Sequence, residues 1–193
     1  MNKDLVMNAR ALTLAAIGFG CLPLAAHAQE ATSTDTKTFL VTGNVPALCS
    51  GGTLGNNQGT FDLGVLINTS TGFLRTDLSA PARTLAGAYC SAQSTITVAA
   101  TPLAAQNFTA TPPSGFSRSV DYTATASGWT TTPASFTTSA ATNTAAKQTR
   151  STAFTGDIAV GVANFATTGG NALRLVADTN YRGTVTVTLA AAN

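Results

Sequence analysis

Histidine occurs once in this 193-residue chain, at His27, and cysteine three times, at Cys21, Cys49 and Cys90. Nucleophilic and metal chemistry most often rests on these side chains, so their placement decides what reactions are open. A Ser-His-Asp or Cys-His arrangement needs a base beside its nucleophile. His27 stands in Ala26-His27-Ala28, a small-residue pattern of the kind that ends a secretory signal peptide. Cleavage there leaves a chain without histidine. A Ser–Lys pair would have to use Lys37 or Lys147, each in a polar, unpatterned stretch. Glycoside hydrolysis needs two carboxylates facing one cleft, whereas Glu30, Asp35, Asp62, Asp77, Asp121, Asp157 and Asp178 are thinly spread. Zinc prefers His and Cys, and calcium wants clustered acids around a tight Gly turn; neither spacing occurs. Gly51-Gly52 and Gly169-Gly170 lack the Lys and the following helix of a phosphate loop. The expectation is a protein that is no enzyme and uses no metal or cofactor.

The N-terminus carries Lys3 and Arg10 and then an apolar run from Ala11 to Gly20. With the Ala-His-Ala end, this makes residues 1–28 a signal peptide. The run is shorter than the roughly 20 residues of a membrane span, so no stable span is expected. A lipoprotein reading of Cys21 fits poorly, because Gly18-Phe19-Gly20 lacks the residues expected before a lipidated cysteine. Export would carry the rest to the periplasm, the cell surface or beyond. An oxidising compartment would join Cys49 and Cys90; two buried free thiols are the alternative. On the chain-entropy model, closing that loop is worth about 4 kcal/mol. Past residue 28 there are eight Lys and Arg against seven acids, and neither sign clusters. Nucleic-acid binding needs a basic stripe, and none is present.

Threonine is the commonest polar residue, and its β-branched side chain favours extended backbone. Residues 29–37 read as a flexible polar arm. Alternation begins with Phe39, Val41, Gly43 and Val45 and stops at Pro46, which has no amide to give a ladder. Further strands are expected at Phe61–Leu66, at Thr84–Tyr89 and around Ile96, Val98 and Ala100. Others follow at Val120–Ala126, Ile158–Val162, Leu173–Val176 and Thr184–Leu189, where Val185, Val187 and Leu189 share one side. Gly128–Arg150 reads as a long mobile loop or a poorly held edge hairpin, with weak strand content near Ser135–Thr138. Trp129 is expected to plug the core or the sandwich edge rather than to offer an exposed ring for carbohydrate. Tyr181 is expected to anchor a corner. Asn68-Thr69-Ser70 and Asn107-Phe108-Thr109 match the N-glycosylation pattern, which is short and common by chance. Eight or nine short strands, Gly/Pro/Asn turns and no 3.6-residue apolar stripe predict one antiparallel β-sandwich over residues 38–193.

Three pieces of sequence carry a resemblance. They are Phe39-Leu40-Val41-Thr42-Gly43-Asn44-Val45-Pro46-Ala47-Leu48-Cys49, then Phe61-Asp62-Leu63-Gly64, then Tyr181-Arg182-Gly183-Thr184-Val185-Thr186-Val187-Thr188-Leu189. Together they resemble the spore coat protein U domain, a relative of chaperone–usher pilus subunits. Arg182-Gly183 departs from that family's usual acidic step, and residues 101–155 are not covered. The resemblance implies an immunoglobulin-like, pilin-like sandwich lacking one strand, with Cys49 and Cys90 as its disulfide. It implies a periplasmic chaperone, an usher and neighbouring pilin-like subunits as partners. It also implies assembly by strand addition, in which main-chain bonds give affinity and alternating side chains give register. Phe39, Val41 and Val45 would then belong either to a donor strand or to the domain's own first strand. The alternative is a self-contained periplasmic or secreted sandwich that binds a glycan or a partner protein, through Trp129 or the 128–151 region.

Overall fold

The computed structural model describes Thr34, residues 36–55 and residues 59–192. The expected signal peptide, 1–28, and most of the arm, 29–37, lie outside the described residues. The chain divides into two units, Met1–Thr42 and Gly43–Asn193. In the first, residues 36–42 form neither helix nor strand, and Phe39 and Val41 are 84% and 91% exposed.

The second unit is all-β. Its strands in chain order are β1 (Cys49–Ser50), β2 (Thr53–Leu54), β3 (Arg83–Cys90), β4 (Ser94–Ala100) and β5 (Leu103–Ala105). Then come β6 (Phe116–Ser117), β7 (Ser119–Ser127), β8 (Ala134–Thr137), β9 (Lys147–Arg150) and β10 (Phe154–Thr167). The last are β11 (Arg174–Leu175), β12 (Tyr181–Arg182) and β13 (Val185–Ala191). One large antiparallel sheet runs β1-β3-β10-β7-β5-β12, with β2 also on β3 and β8 also on β7. A smaller antiparallel sheet runs β13-β4-β9, and a short parallel pair joins β6 to β11. The architecture is a β-sandwich.

The alternation that marks these strands also builds the core. β4 buries Ser94, Ile96 and Val98, and β7 buries Val120, Tyr122, Ala124 and Ala126 from the facing sheet. β10 is the spine of the large sheet, paired with β3 on one side and β7 on the other. Its ladder shifts register between Ala163 and Ala166, where Asn164 takes φ 55°. Asn tolerates that left-handed conformation better than a branched residue does.

Trp129 is fully buried and closes the middle of the core. Its indole N–H donates to the buried Ser94 hydroxyl at 3.2 Å, and its ring meets Phe154 edge-on at 5.1 Å. Arg150 stacks over the other aromatic, 3.6 Å from the Phe154 centroid, and donates to the Trp129 carbonyl at 2.7 Å. The expected core role of Trp129 holds, and its indole is not available as a surface ring.

Two expectations are corrected. Phe61–Leu66 forms no strand. The Asp62 carboxylate accepts the Gly64 amide at 2.9 Å, and Gly64 takes φ +63°, so a local turn breaks the extended run. Gly128–Arg150 is not a loose loop: it carries Trp129, β8, a 3₁₀ turn at Thr144–Ala146 and β9. β8 pairs with β7 in the large sheet and β9 with β4 in the small one, so the segment crosses between layers. The Asn143 side chain holds both the N–H and the C=O of Thr137, replacing a missing strand neighbour. Gly128 lets the chain leave β7 close against β10, since a Cβ there would stand 2.6 Å from the Asp157 carbonyl oxygen.

Candidate functional site

The final strand, β13, is an edge of the small sheet. It pairs with β4 through all its residues, from Val185↔Ala100 to Ala191↔Ser94. Among the described residues no strand pairs with its other side. Thr186, Thr188 and Ala190 face solvent, while Val185, Val187 and Leu189 are half-buried against the core cluster. The opposite edge of the same sheet, β9, carries Lys147 and Arg150. Charged side chains blunt an edge against further pairing. β13 has neither charge nor proline in its seven residues, and so keeps a main-chain row suited to another strand.

The tyrosines on either side of this edge set its position. Tyr122 of β7 donates to the Thr184 carbonyl at 3.0 Å and stacks on Phe165 at 5.9 Å. Tyr181 of β12 donates to the Val176 carbonyl at 2.8 Å, the corner anchor expected from the sequence. Beside them Gly183 passes close to the Thr101–Pro102 backbone, and a Cβ there would stand 2.6 Å from the Thr101 carbonyl oxygen. Thr101 and Thr184 also join through their hydroxyls at 3.0 Å. These contacts fix the point at which β13 starts.

A cleft of about 840 Å³ opens at that point, with Phe61, Leu103, Tyr122, Val162, Phe165 and Val185 on its walls. An adjoining cleft of about 730 Å³ shares Phe61, Leu63, Leu103 and Tyr181 with it and continues toward Leu175 and Val176. Arg182 stands at the rim of both, its Nε donating to Asn180 Oδ1 at 2.9 Å. The apolar walls belong to the same half-buried set that lines β13. The first cleft reaches the small sheet at Val185, the first residue of β13.

The other expected residues fall as follows. Cys49 and Cys90 form a disulfide with their Cα atoms 4.1 Å apart, directly opposite each other in the β1–β3 ladder. Phe39, Val41 and Val45 form no strand, and Val45 is 83% exposed. Of the residues expected in the terminal strand, Val185, Val187 and Leu189 lie in β13, whereas Tyr181 lies in β12 of the large sheet; Tyr181 and Val185 both line the cleft. The sequence did not single out Ser91, which holds the residues before Cys49. Its amide donates to the Leu48 carbonyl at 2.8 Å, and its hydroxyl accepts the Leu48 amide at 2.9 Å. No periodicity marks a lone serine, though its place next to Cys90 was a usable signal. Among the described residues, no three His, Cys, Asp or Glu side chains stand together as a metal site would need.

Fold and geometry together define the class: a disulfide-stapled, all-β sandwich with one bare edge strand that starts beside a cleft of mixed polar and apolar lining. Comparison of the chain with protein-family models, curated proteins and solved structures returned no match.

Proposed function

We propose that this chain is a secreted structural subunit of a bacterial surface appendage or coat, joined to its neighbours by strand addition. In this reading it is not an enzyme. The observation that carries it is a match within one chain. β13 offers seven residues of uncharged edge with Val185, Val187 and Leu189 half-buried beneath it. Phe39 to Val45 offers an alternating stretch of the same length whose large apolar residues are exposed and unpaired. An extended segment laid along β13 gains main-chain hydrogen bonds, and its alternate side chains can cover the half-buried Val185, Val187 and Leu189. Because the arm and the edge are different surfaces, such contacts are head-to-tail and propagate instead of closing into a pair.

Unfilled, this edge is an aggregation hazard. A periplasmic chaperone that covers it before assembly, and an usher that exchanges chaperone for subunit, fit this reading. So does an exported location.

The test uses the purified chain and a synthetic peptide spanning residues 36–47. The peptide is expected to bind with amide shifts centred on β13, and Val187→Asp is expected to abolish binding while the fold persists. Discrete monomers that neither polymerise nor take up the peptide would overturn the reading.

A further inference from the structure

The root of the arm is built as a fixture. Ser91 follows directly on Cys90 and grips the chain on the far side of the disulfide. Its amide donates to the Leu48 carbonyl at 2.8 Å, and the Leu48 amide donates to its hydroxyl oxygen at 2.9 Å. The hydroxyl proton faces two carbonyls, Pro46 at 3.3 Å and Leu48 at 3.4 Å. Cys49 is then bonded covalently to Cys90. Pro46 restricts its own φ and holds Val45 to extended conformations. From Pro46 to Cys49 the backbone is therefore held at three of four residues. Val45, the last apolar residue of the alternating stretch, comes immediately before.

We propose that Ser91, acting with the Cys49–Cys90 bond, is a positioning residue that fixes the exit of the arm, so that one copy joins the next without slack. This rests on the strand-addition reading above. A flexible linker would let consecutive bodies wander over about 5–6 Å times the square root of its length in residues. Here a single unheld residue, Ala47, flanked by held ones, lies between the segment that would enter the neighbour and the body that carries it. The occupant of the neighbour's open edge is the Phe39–Val45 segment of a second copy of this chain. The Ser91 grip sets the angle between the two bodies.

Two measurements test this on the full-length processed chain. In the monomer, backbone ¹⁵N relaxation at Ala47, Leu48 and Cys49 is expected to match that of β3, and to become markedly more mobile in Ser91→Ala. In polymers imaged by electron microscopy, inserting Gly-Ser-Gly between Val45 and Pro46 is expected to lower the bending persistence length severalfold. Ser91→Ala is expected to lower it less, and neither change should affect uptake of the 36–47 peptide. A wild-type root as mobile as residues 36–42 overturns the proposal, as do polymers of unchanged stiffness in both variants. Failure of the wild type to polymerise or bind peptide overturns the strand-addition reading instead, and the relaxation data then decide the root's rigidity by themselves.

Discussion

Tyr122 and Thr184 tie the two sheets together at the start of the bare edge: the phenol of β7 donates to the carbonyl just before β13 at 3.0 Å. Tyr122 is only 3% exposed, and the bond lies at the wall of the cleft, where both residues take part in its lining. Tyr122→Phe removes the donor and leaves the Thr184 carbonyl without this partner. The expected loss is about 1 kcal/mol, read as a shift of the denaturant midpoint with unchanged slope. Amide exchange at Val185 should quicken more than at Leu189.

The same tyrosine makes stability sensitive to alkali. Burial pushes the Tyr122 hydroxyl up to about 12, above its value in the unfolded chain, near 10. The folded state therefore holds this proton more tightly. Its contribution is complete below about pH 10 and is lost as pH rises from there toward 12. Denaturant midpoints measured across that window should fall for wild type and fall less for Tyr122→Phe.

Asp178 predicts the acid side. Burial would raise its carboxyl, but amides of Phe108, Asn180 and Asn107 donate to it, as does the Asn107 side chain, and together they hold it below the ordinary carboxylate value. Its contribution is present above the unfolded carboxylate pKa and is lost as pH falls through the depressed folded value. Carbon-detected NMR titration of the carboxyl should give a midpoint under that of an unstructured Asp. Asp178→Ala should loosen Asn107, Phe108 and Asn180 together.

The disulfide closes a span of 41 positions. On the chain-entropy model its loss should cost about 4 kcal/mol. The comparison is between wild type and the double Cys49→Ser, Cys90→Ser variant, both unfolded in guanidinium. Equal midpoints would show that the bond contributes nothing.

Trp129, the lone tryptophan, reports on the core without labelling. Fully buried, it should emit at short wavelength and shift red on unfolding. Ser94→Ala leaves its indole N–H buried without an acceptor, at an expected cost of about 1–3 kcal/mol. Trp129→Ala should cost about 3–5 kcal/mol.

The strands that could be read from the chain were those with β-branched or large apolar residues on one face. Ile96 with Val98, Ile158 with Val160, and Val185 with Val187 and Leu189 all mark real strands. The segment from Gly128 to Arg150 could not be read, because Ala, Ser and Thr leave no contrast between its faces. Its order comes largely from remote partners, β8 on β7, β9 on β4 and Trp129 on Ser94, while Asn143 braces Thr137 from within. Phe61–Leu66 shows the converse error. Its alternation was real, but a strand also needs a neighbour, and the Asp62–Gly64 turn removed the straight run required for one. The bare edge had the same status in the sequence as any other Val/Thr strand. Which strand ends a sheet is set by topology, and no residue of β13 announces it.

A pull on the N-terminal arm would meet an unusual load path. β1 is only two residues long and would unzip easily by itself. The Cys49–Cys90 bond passes tension straight into β3, and β3 shares it along its ladder with β10 in shear. The chain between β1 and β3, from Ser50 to Arg83, is bypassed and bears none of the force. The sandwich should therefore resist stretching from that end far better than its smallest strand suggests.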